Sequence, residues 1–265
     1  MQLFFSEFTP DYSNYIFPYQ VYLRVEHGDD LSRIYFSGFV PMRSQKGIYY
    51  LARSSRVKLN QFELSSENRR ILRKVEYLTY QITPIEEFLY TKEVQKFCLD
   101  SSRSIGKGKP IMPVSAIRTM FTGQANVTHV LIFKDSNTNQ VQGYVGLIVQ
   151  GTFAHYAHSF PSSNSSDPNL NLGMMTLAVD WAYKQHKQAI YLGTVSTAGL
   201  MYKSQFKGFE FFVGNGWSSN YDELKFIVNR TSQTHLWDDE SYINNFQPNS
   251  SLTTNLTPPF RARMK

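Results

Sequence analysis

The chain has too few cysteines for a disulfide or a cysteine metal centre. Cys98 is the only one among 265 residues, so neither an intramolecular disulfide nor a cysteine cluster can form. No apolar run approaches the roughly 20 residues that a transmembrane helix needs. The N-terminal stretch also lacks the basic segment of a secretory signal peptide. These absences predict a cytoplasmic protein with no membrane partner and no metal site.

The composition is otherwise that of a folded protein with a moderate basic excess. Hydrophobic residues make up 42% of the chain, which predicts a sizeable core. A net charge of +6 favours anionic partners such as nucleic acid. A stretch rich in Gly, Ser, Lys and Pro at 101–113 marks a boundary. We therefore predict an N-terminal α+β domain over 1–110, a catalytic core over 111–230 and a disordered low-complexity tail over 231–265.

In the first half, alternating apolar residues predict strands over 19–25, 34–40 and 48–52, with a hairpin turn at 43–47. Alternating basic and small residues predict an exposed edge strand over 53–59. A helix follows, capped by Ser65 or Ser66, with basic residues along one face. That face is either solvated or binds phosphates. In the second case it joins a wider basic patch, made of Arg43, Lys46, Arg53, Arg56, Lys58, Arg69, Arg70, Arg73 and Lys74.

The second half predicts a helix over 86–99, a strand over 127–134 and one long glycine-containing strand from Val141 to about residue 159. His155 and His158, three residues apart on that strand, should face opposite sides and share no metal. A helix over 172–187 leads to a buried strand at 189–192. A short amphipathic piece with Tyr202, Lys203 and Phe206 follows. Further strands are expected over 208–213 and 224–228.

This order of elements resembles the GNAT acyltransferase core. The resemblance implies a mixed, mainly antiparallel sheet flanked by helices, an α/β (α+β) fold in which the central strands separate around the acyl donor. In that family a glycine-rich segment before the central helix binds the pyrophosphate of coenzyme A at the helix N-terminus. Here the segment reads DPNLNLGMMT and lacks that pattern, which argues against acetyl-CoA as the donor.

Two further stretches, which together span about 35–217, resemble the arginyl- and leucyl-tRNA–protein transferase family. SGFVPMRSQKGIYYLARSSRVKLNQFELSSENRRILRK resembles that family's GF-x-RS block with its following Arg-Val and Arg-Arg positions. YLG and MYKSQFKGFE resemble its second block. The matched positions are Gly38, Phe39, Arg43, Ser44, Tyr50, Arg56, Val57, Phe62, Ser66, Arg69, Arg70, Tyr191, Leu192, Gly193, Met201, Tyr202, Lys203, Phe206, Glu210, Gly216 and Trp217. The cysteines common in the family's N-terminal domain are missing.

The resemblance implies transfer of Arg or Leu from aminoacyl-tRNA to the α-amine of a protein N-terminus, by a monomer without a cofactor. Tyr202 and Lys203 are the candidate catalytic residues, and backbone amides near Gly146 or Gly193 could form an oxyanion hole. The candidate substrate-binding residues are Arg43, Arg56, Arg69, Arg70, Tyr144, Tyr191, Gly193 and Phe206. The alternatives are a GNAT N-acyltransferase, a peptidoglycan-bridge aminoacyltransferase, and an inactive module that binds tRNA or protein.

Overall fold

Two β-sheets organise the chain. The computed structural model describes residues 1–7, 11, 13, 19–105, 111–231, 235–236 and 239–247. A four-stranded sheet has the order β1-β2-β4-β3, and an eight-stranded sheet has the order β12-β11-β5-β10-β9-β8-β7-β6. The strands are β1 Gln2–Glu7, β2 Tyr19–Arg24, β3 Phe39–Pro41, β4 Ile48–Leu51, β5 Ser54–Lys58, β6 Leu78–Pro84, β7 His129–Asp135, β8 Val141–Val149, β9 Phe153–Pro161, β10 Ala189–Thr194, β11 Phe209–Phe212 and β12 Trp217–Ser218.

The described part of the chain contains seven α-helices. They are α1 Leu31–Phe36, α2 Ser66–Lys74, α3 Lys92–Ile105, α4 Val114–Phe121, α5 Leu170–Lys184, α6 Tyr221–Asn229 and α7 Glu240–Phe246, with 3₁₀ segments at Leu59–Gln61 and Ala198–Gln205. As predicted, α2 is capped by serine: the Asn68 amide donates to Ser65 Oγ over 3.0 Å. None of these helices is long and apolar enough to span a bilayer.

The large sheet is antiparallel except for one described pair, β9 with β10, which α5 connects. Helices α2 and α5 cover one face of this sheet. At Gly173 a Cβ would lie 2.6 Å from Val75 Cγ1, so only glycine lets the two helices approach so closely. Helices α3 and α4 cover part of the other face, and α1 with the small sheet covers the rest. The predicted mixed, mainly antiparallel fold class is confirmed.

Several predicted elements are wrong. Residues 34–40 are not one strand, because Asp30 caps helix α1 before β3 begins at Phe39. Residues 224–228 belong to helix α6, which Asn220 caps and which buries Leu224 and Ile227 at helical spacing. The long strand from Val141 is two strands, joined by a short turn at 150–152. The helix predicted over 86–99 begins only at Lys92.

Strand β5 was predicted to be an exposed edge strand, and this is also wrong. It lies between β10 and β11 in the large sheet, antiparallel to both. Ser54, Ser55 and Val57 are fully buried. Arg56 can be buried in this strand because Glu210, directly opposite on β11, neutralises its charge.

The predicted domain boundary near residue 110 stays a prediction, and residues 106–110 lie outside the described residues. The large sheet takes β5 and β6 from the first 110 residues and its other strands from the rest of the chain. Within the predicted disordered tail, residues 240–246 instead form α7, whose Tyr242 and Ile243 are buried in a core cluster shared with α6. The other tail residues lie outside the described residues, except 231, 235–236, 239 and 247.

Candidate active site

The site lies where β9 and β10 separate. Their parallel pairing ends at Tyr191 and His155, although β9 continues to Pro161 and β10 to Thr194. Gly193 adopts a φ of 75°, and the pairing of β10 with β5 is irregular at this point. A cavity of about 390 Å³ opens between the separated strands, the small sheet and the α4 region. A cavity at such a gap is where the GNAT resemblance predicts an acyl donor.

His155 and His158 both line this cavity, so the prediction that they face opposite sides is wrong. Along β9, Tyr156 is opposite Leu147 and His158 is opposite Gly146, which leaves Ala157 as an extra residue. This β-bulge resets the alternation of side chains. Residues on the small-sheet face are therefore odd-numbered before it and even-numbered after it, as Phe153 and Phe160 show.

Lys203 is the most buried cationic group in the cavity lining, with 6% of its surface exposed. The 3₁₀ segment Ala198–Gln205 directs its ammonium back under the end of β10. There Nζ donates to the carbonyl oxygens of Leu192 over 2.8 Å and Thr194 over 2.7 Å. Burial lowers the Lys203 pKa to about 8. An ammonium has three N–H groups, so one remains free for a ligand.

His155 is the second buried polar group at the strand separation. The hydroxyl of Tyr35 lies 3.0 Å from its Nδ1, while Nε2 is buried and has no hydrogen-bond partner among the described residues. Burial, and then the charge of Lys203, lower the His155 pKa to about 3. The imidazole is therefore neutral at physiological pH.

The small sheet supplies the roof of the cavity and a second cation, Arg43. Burial and the Arg43 charge lower the pKa of the neighbouring His158 to about 3. Among the described residues that line the cavity there is no carboxylate. The described residues also contain no group of three His, Cys, Asp or Glu side chains placed to hold a metal ion. The cavity is therefore suited to a ligand that carries or develops negative charge.

One side chain holds the roof against the core. Asn126, between α4 and β7, donates through Nδ2 to the carbonyl oxygens of Met42 and Gln45, over 3.2 and 3.1 Å. Its Oδ1 accepts from the Gly47 amide over 2.9 Å. These bonds connect both arms of the β3–β4 turn to the large domain, so we call the side chain the Asn126 clamp.

Four of the predicted site residues meet at the cavity: Arg43, Gly193, Tyr202 and Lys203. Tyr202 is at the rim with its ring partly exposed, and burial of part of the ring raises its pKa. The alternative oxyanion-hole position, Gly146, lies in the paired part of β8 under Met120 and outside the cavity lining.

The other predicted site residues lie elsewhere and have structural contacts. Tyr144 and Phe206 are core residues, and Tyr191 packs on Tyr35 with ring centroids 4.7 Å apart. Arg56 donates twice to Glu210 Oε2, over 2.9 and 2.7 Å, beneath the ring of Trp217. Each of these residues supports the fold around the site without lining the cavity.

The predicted single basic patch is also wrong. Arg69 and Arg70 are on α2, which lies with α5 on one face of the large sheet, whereas Arg43 belongs to the small sheet on the other face. Arg70 pairs with Glu67 on the same helix, and Arg69 donates to the Leu64 carbonyl. Sequence reasoning missed Tyr35 and His155 as site residues, because the bulge and the pairing of distant elements leave no local signal.

A mainly antiparallel sheet, one separated parallel pair and a cationic cavity at the separation together define an acyltransferase-like architecture. No protein-family model matches the chain. Its sequence is 26% identical over 170 residues to the aspartate/glutamate leucyltransferase of Saccharophagus degradans, a match that covers 61% of this chain and 69% of that relative. This similarity supports the coarser part of the predicted resemblance, to aminoacyltransferases.

Solved structures give a weaker likeness. The crystal structure of FemX superposes with a TM-score of 0.45 at 11% identity, and L-PGS from Bacillus licheniformis with a TM-score of 0.42 at 11% identity. Each match covers 77% of this chain and 71% of the other. At these scores the likeness carries no argument about function, and the fold assignment rests on the strand order described above.

Proposed function

We propose that the chain is an aminoacyltransferase that moves an amino acid from aminoacyl-tRNA to the α-amine of a protein N-terminus. The observation that carries the proposal is the buried Lys203 ammonium, which has one unused N–H and lies at a cavity in the gap between two separating strands. The similarity to a leucyltransferase supports the same class of reaction.

The reaction asks for placement and charge stabilisation, because an aminoacyl ester is already activated. The acceptor nitrogen attacks the ester carbonyl carbon, a C–N bond forms, and the carbonyl oxygen becomes an oxyanion. The C–O bond to the tRNA ribose then breaks, the nitrogen loses a proton and the ribose oxygen gains one. No electrons are exchanged, so the proposed step needs no redox group or other cofactor.

Lys203 would stabilise the oxyanion. Its two bonds to backbone carbonyls fix Nζ, so little reorganisation is needed when negative charge develops. With a pKa of about 8, the side chain is largely protonated at pH 7. Lys203→Met keeps much of the side-chain volume and removes the charge. We expect it to lower kcat about 10²- to 10³-fold, as loss of an oxyanion donor does elsewhere.

Arg43 is proposed to select the acceptor. Its guanidinium is exposed at the cavity and has no ion pair among the described residues. A guanidinium matches the geometry of a carboxylate and can bind it through two hydrogen bonds. An acceptor that begins with Asp or Glu therefore fits this position. The name of the Saccharophagus degradans relative, an aspartate/glutamate leucyltransferase, supports leucine as donor and acidic residues as acceptors.

The test is transfer of radiolabelled leucine or arginine, as charged tRNA, onto matched peptides that begin with Asp, Asn, Glu, Gln, Lys or Arg. We expect leucine to label the Asp and Glu peptides, and Arg43→Ala to remove most of the preference for Asp over Asn. Lys203→Met should lose transfer, whereas the exposed Lys207→Met should keep it.

Two outcomes would contradict the proposal. If no peptide is labelled although charged tRNA binds, the chain is a binding module. If acetyl-CoA supports acylation and aminoacyl-tRNA does not, it is an N-acyltransferase of another kind. Label on Lys or Arg peptides only would contradict the assigned role of Arg43 and leave the reaction class standing.

A further inference from the structure

A buried nitrogen at the cavity has no partner. His155 is 3% exposed, and its Nε2 makes no hydrogen bond within the described part of the chain. Leaving a buried polar group unpaired costs about 1–3 kcal/mol. Such a group in a folded protein asks for an explanation, and a ligand position is one of the few that compensate the cost. His155 lines the cavity at the strand separation, where a ligand has access to it.

The hydrogen-bond network decides which nitrogen of His155 carries the proton. The hydroxyl of Tyr35 is fully buried, and Nδ1 of His155 is its one partner among the described residues. If Nδ1 carried the proton, the Tyr35 hydroxyl proton would have no acceptor. The arrangement that satisfies both groups has Tyr35 donating to Nδ1, which puts the imidazole proton on Nε2. Nε2 is then a neutral donor.

Glycine at position 193 keeps the space in front of this donor open. A Cβ built on Gly193 would lie 3.9 Å from His155 Nε2 and 4.0 Å from Lys203 Nζ. Two different donors, one neutral and one cationic, thus border the same small space at the point where β9 and β10 part. Carbonyl oxygens have two lone pairs, and an oxygen in this space could accept from both.

We propose that the space bordered by His155, Gly193 and Lys203 binds the carbonyl oxygen of the acyl ester, with His155 Nε2–H as a second oxyanion donor and Tyr35 as the positioning residue that holds its tautomer. The assignment rests on the proposed function for the identity of the ester. The orphaned nitrogen and its orientation stand without it. Burial raises the pKa of Tyr35 well above its usual value, which keeps the hydroxyl protonated as the donor to Nδ1.

Three variants separate a chemical role from a structural one. His155→Leu removes the donor, and we expect kcat to fall about 10²- to 10³-fold with little change in KM. His155→Gln restores an N–H on a neutral side chain and should recover part of that loss. Tyr35→Phe keeps the ring but frees the tautomer, and should lower kcat about 10-fold, as supporting hydrogen bonds to site residues do. His129→Leu, a histidine outside the cavity lining, is the control and should transfer normally.

The wild-type protein offers a readout that does not depend on transfer or on the folding of any variant. Nitrogen NMR of ¹⁵N-histidine-labelled protein should show His155 protonated at Nε2 and not at Nδ1. The probe is an aminoacyl-adenosine analogue with an amide in place of the ester, which presents the same carbonyl and cannot react. Its binding should shift the His155 Nε2–H resonance, and less so in Lys203→Met, where the oxygen has lost its other donor.

The outcomes distinguish this assignment from the proposed function. Protonation at Nδ1, an Nε2–H resonance unmoved by the analogue, or a His155→Leu protein with wild-type kcat would each overturn the donor assignment. If the wild-type protein transfers nothing but its Nε2–H resonance still shifts with the analogue, the proposed function fails and the carbonyl site stands.

Discussion

Burial of Lys203 should make the stability of this protein rise with pH in a way that one substitution removes. The ammonium is held between two backbone carbonyls with little contact with water. Those hydrogen bonds do not fully compensate the cost of burying the charge, because its pKa lies well below the ordinary value of 10.5, at about 8. In Lys203→Met the charge is absent at every pH.

The size and sign of the effect follow from the two pKa values. Between pH 8 and 10.5 the unfolded chain holds the Lys203 proton more tightly than the folded one, so stability rises with pH there. One pH unit is worth about 1.4 kcal/mol, which makes the full penalty about 3 kcal/mol below pH 8. Between pH 7 and pH 10 the wild-type protein should gain about 2.5 kcal/mol relative to Lys203→Met. The pH-independent cost of leaving two carbonyls unpaired cancels in this comparison.

The assay is urea unfolding of both proteins at pH 7, 8, 9 and 10. The difference between their free energies of unfolding should change by the amount given above, mainly above pH 8. Lys207→Met is the matched control, since its exposed ammonium pairs only with Glu63 at the surface, and its curve should run parallel to that of the wild type. If the Lys203→Met and wild-type curves also run parallel, Lys203 is not held as a destabilised cation, and its proposed role in charge stabilisation loses its physical basis.

Three further substitutions test other parts of the structure. Arg56→Met should destabilise the fold by about 3 kcal/mol in urea unfolding, because the buried carboxylate of Glu210 loses its main partner, while transfer per folded molecule stays unchanged. Gly193→Ala should cost about 1–2 kcal/mol because of its positive φ, and should abolish transfer because the Cβ occupies the space between the two donors. Gly38→Ala should cost about 3 kcal/mol or more, seen as a lower Tm, because its Cβ would combine a positive φ with overlap of the Phe212 ring.

Elements with a strong local signal could be predicted from sequence. Helix α2 has a serine cap and a charged face, and α5 has apolar residues at helical spacing before a buried strand, so both were placed correctly. Helix α6 was mistaken for a strand because LKFIV is rich in residues that favour strands, whereas Asn220 and two acidic residues favour a helix start. Strand β5 was misjudged because its burial depends on Glu210, 154 residues along the chain.

The candidate site was predictable only in part, for the same reason. Lys203 and Gly193 belong to a contiguous motif and were found. The role of His155 depends on a hydrogen bond to Tyr35, 120 residues away, and on the cavity left where two strands part. His158 was assigned to the wrong face because one extra residue at Ala157 is invisible to a rule of strict alternation. Contacts between distant segments decide these features, and periodicity does not report them.

The Asn126 clamp gives the molecule a built-in reporter of how its two sheets move. The Gly47 amide lies in a surface turn, where a backbone proton ordinarily exchanges with water quickly, yet here it is bonded to Asn126 Oδ1 across 79 positions of the chain. Its exchange rate therefore measures the opening between the small sheet and the rest of the protein. Slower exchange when a substrate enters would mean that the sheets close around it, and faster exchange would mean that entry separates them.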